Sequence, residues 1–392
     1  MESGLLIIQS GGPTAVSNTG LASAVAAASN QLPPDAPILG ARRGMLGAVE
    51  GYLVDLRSIS STRWKAIQSA PGAALGSSRH RADDESLERL VASLRRVKVR
   101  MVLIMGGNGS MAAAGKLRAT AAELGYELAV AGIPFTVDND VKHTDFCLGY
   151  GSAARYYAQA ILDLSADLRS LPTPVSVLEV MGRNAGWLAA ASVLARENDA
   201  DAPHRVYLPE APLRRDRFLA DIGRLFDRHG WVVVVAAEGL GDEKGEEWAE
   251  PFETPSTRDY GGRMIGDVAP RLARLVTRDL GLRARCEKPG LLARAAAGDI
   301  SELDRRAAAK AAEFSIREML RGESGFMTSL RQDGTDPFEA TCEAVPLSPA
   351  SSAERLLPQE FLNAEDQQPN GRFDTYAKPL IGGPLRHYDT AT

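Results

Sequence analysis

The chain has 392 residues, 44% of them hydrophobic and 24% charged, with a formal net charge of −5. That length allows two or three domains and a sizeable core. The mildly acidic balance argues against nucleic acid as a partner. Cys147, Cys286 and Cys342 lie far apart with no CxxC pair, and the five histidines form no HExxH pattern. Neither a disulfide framework nor a zinc centre is expected, and a reducing cytoplasm fits. The start, MESGLLIIQS, lacks a basic leader, and no apolar run approaches the roughly 18 residues of a membrane span. A cytoplasmic protein with no membrane partner is expected.

In chain order, Leu5–Gln9 reads as a short strand running into the glycine loop SGGPT, with an Ala-rich helix near Ala15–Ala28. The basic run Arg95–Arg100 reads as a helix end leading into a second strand, Val102–Met105. That strand also ends in a glycine loop, GGNGS, before a helix over Ser110–Leu124. Leu128–Ile133 is a third buried strand, followed by PFTVDND at 134–140. Val175–Val180 is a fourth, followed by MGRNAGW and a helix around Leu188–Arg196. Trp231–Ala237 is a fifth, ending at Glu238, and Ser301–Arg321 is helical. Strand, loop and helix in alternation predict parallel α/β sheets, two of them, with a boundary near Gly149–Gly151. The tail after about Gly334 has little periodicity and reads as irregular.

Each loop has a chemical reason. Gly11 and Gly12 leave backbone N–H groups open to an anion at the positive end of the next helix. Gly106, Gly107 and Gly109 repeat the arrangement, with Ser110 as a natural N-cap. A tight turn is the plainer reading of either loop alone. GGNGS has no GK[ST], so it is not a P-loop, and no GxGxxG opens the first unit. Asp138 and Asp140 follow a buried strand, where parallel sheets bind ligands. One acid there can take a proton and the other can hold a divalent metal, although Asp-Asn-Asp is also common turn punctuation.

In order, SGGPT, GGNGS, PFTVDND and MGRNAGW resemble the phosphofructokinase family, which phosphorylates the 1-hydroxyl of fructose 6-phosphate. The resemblance covers roughly residues 4–320. It implies two Rossmann-like parallel-sheet domains with helices on both faces. Residues 1–149 would be the donor and metal domain and 150–300 the sugar-phosphate domain. Residues 301–332 would return to the first domain, and 333–392 would form an irregular extension. By resemblance Asp138 is the base, Asp140 lies near Mg²⁺ with Asn108, Thr136 lies near the transferred phosphoryl, and Arg183 bridges it. The donor side comprises Gly11, Gly12, Arg79, Gly107, Asn108, Gly109 and Ser110, and the sugar side Met181, Gly182 and Glu238. Arg285 and Arg294 match 6-phosphate ligands, one usually from a neighbouring subunit, which implies a homodimer or homotetramer with shared sites.

MGRNAGW, DAPHRVYLPE and EKPG are most similar to the pyrophosphate-dependent branch. That branch usually carries Asp at the position of Gly109 and Lys at that of Phe135. Gly109 leaves room for the nucleotide α-phosphate and Phe135 removes a cation, so the local residues lean to ATP and the wider resemblance to pyrophosphate. Asn108 replaces an acid near the metal, Leu291 replaces a polar residue or His, and Pro174 falls near a position often basic. Three readings stay open: an active Mg²⁺-dependent kinase of fructose 6-phosphate, a catalytically weak binding paralogue, and a kinase of another phosphorylated ketose.

Overall fold

The computed structural model describes residues 4–80, 82–172, 174–248, 267–334, 338–347 and 354–389. The chain begins with β1 (Gly4–Gln9), α1 (Ser17–Gln31), β2 (Ile38–Ala41), α2 (Gly44–Glu50), β3 (Leu53–Asp55), α3 (Ser61–Ser69) and α4 (Asp84–Arg96). It continues through β4 (Val99–Gly106), α5 (Asn108–Glu123), β5 (Ala129–Thr136) and the short β6 (Leu148–Gly149). The middle holds α6 (Tyr150–Arg169), β7 (Val175–Val180), α7 (Trp187–Ala191), β8 (Arg205–Tyr207), α8 (Arg215–His229) and β9 (Val232–Ala237). Then come α9 (Val268–Leu280), β10 (Ala284–Glu287), α10 (Leu291–Ala295), α11 (Glu302–Leu320), β11 (Phe326–Gln332), β12 (Ala340–Pro346) and α12 (Gly371–Ala377). The described residues group into two units, one from 4–149 with 302–354 and the other from 150–301 with 355–389.

The first unit is built on a sheet of order β12-β11-β5-β4-β1-β2-β3, with β6 paired to β5. Its centre is parallel, and β3 and β12 close the edges antiparallel to β2 and β11. The runs GLLIIQ and VRMVLIMG carry no polar alternation because the central strands are covered on both faces. On one face Leu6, Ile8, Val102, Ile104 and Val130 meet the α4 stripe Leu87, Leu90, Val91 and Leu94. That stripe has the spacing of one helix face, and each such side chain contributes about 1.5–3 kcal/mol on burial. Asp83 caps α4 by accepting the Ser86 N–H at 2.9 Å, and Arg95 and Arg96 lie in its last turn, complementing the helix dipole. The basic run thus spans the helix end at Arg95 and Arg96 and the start of β4, which begins at Val99 and includes Arg100. α1 packs on α11 through small residues, Ala24 and Ala28 among them on one helix and Ala307, Ala308, Ala311 and Ala312 on the other.

The second unit has four parallel strands in the order β10-β7-β9-β8. Val175, Val177, Val232, Val234 and Ala236 pack against Phe218 and Ile222 of α8 and Val268, Leu272 and Val276 of α9. The helix expected over Leu188–Arg196 is α-helical only to Ala191 and tightens into a 3₁₀ turn at Ser192–Ala195. Ser192 Oγ donates to the Ala189 carbonyl at 2.6 Å, a local bond that competes with the helical ladder.

The tail corrects the sequence reading more strongly. Residues 335–337, 348–353 and 390–392 of it lie outside the described residues. What is described includes β12, antiparallel to β11, and α12. Phe361 and Tyr376 pack on Trp187 with ring centroids 5.9 and 5.3 Å away. The Gln368 amide accepts the Val206 N–H and donates to the Val206 carbonyl, both at 2.8 Å, and so occupies the open edge of β8. These anchors are single side chains without periodicity, which is why no repeat betrayed them.

Candidate active site

In the first unit the two glycine loops meet a third segment. Gly11, at the end of β1, donates its N–H to the Ser78 carbonyl at 3.0 Å, and Ser77 Oγ donates to the Gly11 carbonyl at 2.6 Å. LGSSRH is therefore stitched to the first loop, with exposed Arg79 next along the chain. The second loop corrects one expectation: Ser110 is not the N-cap. Gly107 holds that place, and Ser110 sits inside the first turn of α5 with its N–H on the Gly107 carbonyl at 2.9 Å. The reason is steric. Ser110 Oγ folds back over Gly106, where any Cβ would overlap it, and it lies 3.8 Å from the place a Cβ would take on Gly11. Gly109 is exposed, and a Cβ there would meet nothing within 4 Å.

The acidic turn after β5 is a built feature, not surface punctuation. Thr136 Oγ1 accepts the Asp138 N–H at 3.2 Å. Asn139 is fully buried in a left-handed conformation (φ 57°), and its Oδ1 accepts the Cys147 N–H at 2.8 Å. Asp138 and Asp140 thus flank a fixed pivot. Asn108, the first residue of α5, donates from Nδ2 to the Asp140 carbonyl at 3.2 Å, while its Oδ1 is buried with no hydrogen-bond partner among the described residues. Burial, then the Asp138 and Glu354 charges, push the Asp140 carboxyl up to about 7. A buried carboxylate pressed by like charges beside an orphaned amide oxygen fits a cation. No set of three His, Cys, Asp or Glu side chains able to hold a metal occurs among the described residues. Phe135, one residue before Thr136, is 2% exposed, and a Cβ on Gly20 of α1 would overlap its ring. It is a core residue.

In the second unit, β7 ends in Met181-Gly182-Arg183. The Met181 N–H is bonded to the Tyr157 hydroxyl at 3.2 Å, and the Gly182 N–H to Glu238 Oε1 at 3.2 Å. Gly182 has φ 123°, a conformation that side chains resist, and a Cβ there would lie 2.6 Å from the Ala185 carbonyl. Gly239 is needed for closeness, since a Cβ would overlap the Arg183 carbonyl oxygen. Burial raises the Glu238 carboxyl above its ordinary range, and the Gly182 N–H pulls it back. Arg183 is half-exposed and lies 3.5 Å from Glu247. Met181, Gly182, Arg183 and Glu238 therefore form one group at the carboxyl ends of β7 and β9, where parallel sheets bind ligands. Arg285 does not join them along the sheet. It is exposed on β10 opposite Ser176, five positions before Met181, or about 16 Å along a strand. Arg294 is half-buried in α10, and Leu291 at its start is 63% exposed.

The sequence reading missed the supports behind these groups. Glu210 Oε1 accepts N–H groups from Gly186 and Leu357, both at 2.9 Å, tying the loop after β7 to the C-terminal segment. Tyr157, Glu179 and Lys288 also stand behind the loop. Glu210 and Lys288 lie inside DAPHRVYLPE and EKPG, so the only signal was similarity.

Glycine loops opening helices beside paired, half-buried acids suit an enzyme of phosphoryl transfer. The sequence profile described as Phosphofructokinase matches residues 4–318. The pyrophosphate–fructose 6-phosphate 1-phosphotransferase of Xanthomonas campestris is 34% identical over 97% of this chain and 91% of its own length. The ATP-dependent 6-phosphofructokinase 3 of Streptomyces coelicolor is 30% identical over 82% of this chain and 87% of its own. The crystal structure of a pyrophosphate-dependent phosphofructokinase from Marinobacter aquaeolei superposes with a TM-score of 0.87 at 29% identity, covering 99% of this chain and 94% of that one. The chain belongs to the phosphofructokinase family, and it is a phosphotransferase of that type. No helix among the described residues is long and apolar enough to cross a membrane.

Proposed function

We propose that this enzyme transfers a phosphoryl group to the 1-hydroxyl of fructose 6-phosphate, giving fructose 1,6-bisphosphate, in the cytoplasm. The first unit holds the donor and the second the sugar phosphate. The observation that carries this is the Asp138-Asn139-Asp140 turn, pinned by buried Asn139, with the orphaned Asn108 Oδ1 beside it. Asp138 takes the proton as the sugar oxygen bonds to phosphorus and the bond to the leaving phosphate breaks. Arg183 and Arg79 offset charge spread over the phosphoryl oxygens, and Thr136 fixes the turn. Backbone N–H groups at Gly11, Gly12, Gly107 and Gly109, with Ser110, receive the donor phosphates. Glu238 accepts sugar hydroxyls beside Met181 and Gly182, and Arg285 and Arg294 take the 6-phosphate. Asn108 Oδ1 and Asp140 would hold Mg²⁺, which neutralises donor phosphate charge when bound.

The exposed position of Arg285, away from Glu238 along the sheet, supports a homo-oligomer in which one copy completes another's site. Mixing inactive Asp138→Asn and Arg285→Ala subunits then restores part of the activity; no recovery in confirmed hybrids rejects shared sites. Open space at Gly109 supports ATP as donor, and the similarity to pyrophosphate-dependent relatives supports pyrophosphate. A coupled assay with fructose 6-phosphate and Mg²⁺, run with each donor in turn, decides. Turnover with neither rejects the proposal.

A further inference from the structure

Three charged side chains lie near one another across the second sheet, Lys288 and Glu179 in one row and Glu238 two positions further along. Glu287 of β10 pairs with Leu178 of β7, so Lys288 follows in line with Glu179. Glu179 pairs with Ala236 of β9, and Glu238 comes two residues later, where the pleat returns the side chain to the same face. Lys288 Nζ lies 3.2 Å from Glu179 Oε1 and 3.2 Å from Asp267 Oδ1. The other Glu179 oxygen accepts the Ala269 N–H at 3.0 Å, in the first turn of α9. Only 3% of the Glu179 side chain is exposed, so its charge is tolerable only while these partners hold it.

We propose that Lys288 is a positioning residue for the sugar site: by cancelling the charge of Glu179, it keeps neighbouring Glu238 a carboxylate that grips the Gly182 N–H and accepts sugar hydroxyls. This rests on the reading of Glu238 as a sugar ligand. The groups facing Glu238 are balanced in sign. Burial raises its carboxyl most, and Glu179 adds to that, while the Gly182 N–H, Lys288 and Arg183 lower it. Burial also works against the Lys288 charge, but Glu179 and Asp267 outweigh it and hold the ammonium above the ordinary lysine range. Without Lys288, two carboxylates would share one sheet face without the ammonium that pairs with Glu179, and one proton would be held to higher pH.

The test is fructose 6-phosphate binding by calorimetry, without donor, from pH 5 to 9, together with infrared titration of Glu238 identified by difference against Glu238→Gln. In Lys288→Met the acid limb of binding moves up by about one pH unit, so affinity drops up to about tenfold at pH 6 and changes less than about twofold at pH 8.5. Lys288→Arg leaves the limb in place. Adding Glu179→Gln to Lys288→Met returns it, and Glu179→Gln alone moves it to lower pH. That last variant strands no buried charge, so it carries the test if Lys288→Met does not fold. An unmoved limb, or an affinity loss equal at every pH, overturns the proposal. If wild type does not bind fructose 6-phosphate, the sugar reading fails, and the infrared titration still judges the charge balance.

Discussion

The acids of the two units are held in opposite ways. In the second unit three carboxylates behind the loop after β7 have protein donors on them: Glu179 has Lys288 and the Ala269 N–H, Glu210 has two backbone N–H groups on Oε1, although its Oε2 has no partner among the described residues, and Glu238 has the Gly182 N–H. In the first unit Asp140 is buried beside Asp138 and Glu354, is pushed up to about 7, and has an amide oxygen without a partner next to it. Behind the loop after β7, protein groups thus hold the acids in place. At Asp140 like charges outweigh the Asn108 bond, and a cation bound there would offset them. Preorganised donors suit recognition of a neutral sugar body, and an acid pressed by like charges suits a cation that arrives with each turnover.

The sharpest way to break this comparison is at the base. Asp138→Asn keeps the shape of the turn and removes the proton acceptor. Loss of a general base typically costs about 10²–10⁴ in rate, so kcat falls by that factor while fructose 6-phosphate affinity stays within about twofold. Near-normal kcat rejects Asp138 as the base.

Asp140 tests the missing charge directly. Its folded-state value of about 7 lies above the 3.8 of an unfolded aspartate, so the folded protein binds the proton more tightly. The associated stability is present below about pH 4 and is lost as pH rises through 7. Asp140→Asn removes that cost and raises the stability of the metal-free protein at pH 8 by up to about 4 kcal/mol, with little gain at pH 4. Thermal melts in a chelator across that range check it. A gain that does not depend on pH means Asp140 is not a strained acid. Gly239→Ala probes the other unit. Its Cβ would overlap the Arg183 carbonyl oxygen, so the loop must shift, at about 1–3 kcal/mol of stability. The fructose 6-phosphate KM rises more than the donor KM. Equal changes in both place the loop outside the sugar side.

Much of this was legible in sequence, for physical reasons. β1, β4, β5, β7 and β9 are apolar runs because both faces of each sheet are covered, and each ended within three residues of its expected end. The loops after β1, β4, β7 and β9 carry glycine where backbone must approach backbone, and that need is written in the residue type. The short β2 and β3 and the 20-residue α6 were not read, the first two for brevity and α6 because YGSAARYYAQAILDLSADLR hides its apolar spacing among small and polar residues. The supports behind the site were illegible because Glu179, Lys288 and Glu210 act through partners that only the register of the sheet or the tail brings near. Ser110 as an N-cap followed a sound rule, but the glycine before the helix took the cap and left the hydroxyl to the loop.

The last and smallest expected effect separates the donors. Gly109 is the second residue of α5, exposed, and open space surrounds the place of a Cβ. An Asp there meets no steric penalty, and an acid in the first turn adds about 0.3–1 kcal/mol through the helix dipole. Gly109→Asp therefore folds at least as well as wild type, and any kinetic change is electrostatic. A carboxylate about 4 Å from a nucleotide phosphate costs roughly 1 kcal/mol in a solvated site, about a fivefold loss in kcat/KM for ATP. Pyrophosphate lacks that third phosphate position, so its kcat/KM changes less. Phe135→Lys cannot be added as a clean complement, because Phe135 is 2% exposed against Gly20 and a lysine there would bury an ammonium in the core. The single variant is thus the informative one, and the ratio of the two donors' kcat/KM values is the measurement. A ratio that stays constant, in a protein as stable as wild type, means that the loop at Gly109 does not face the donor's α-phosphate and that donor choice lies elsewhere in the first unit.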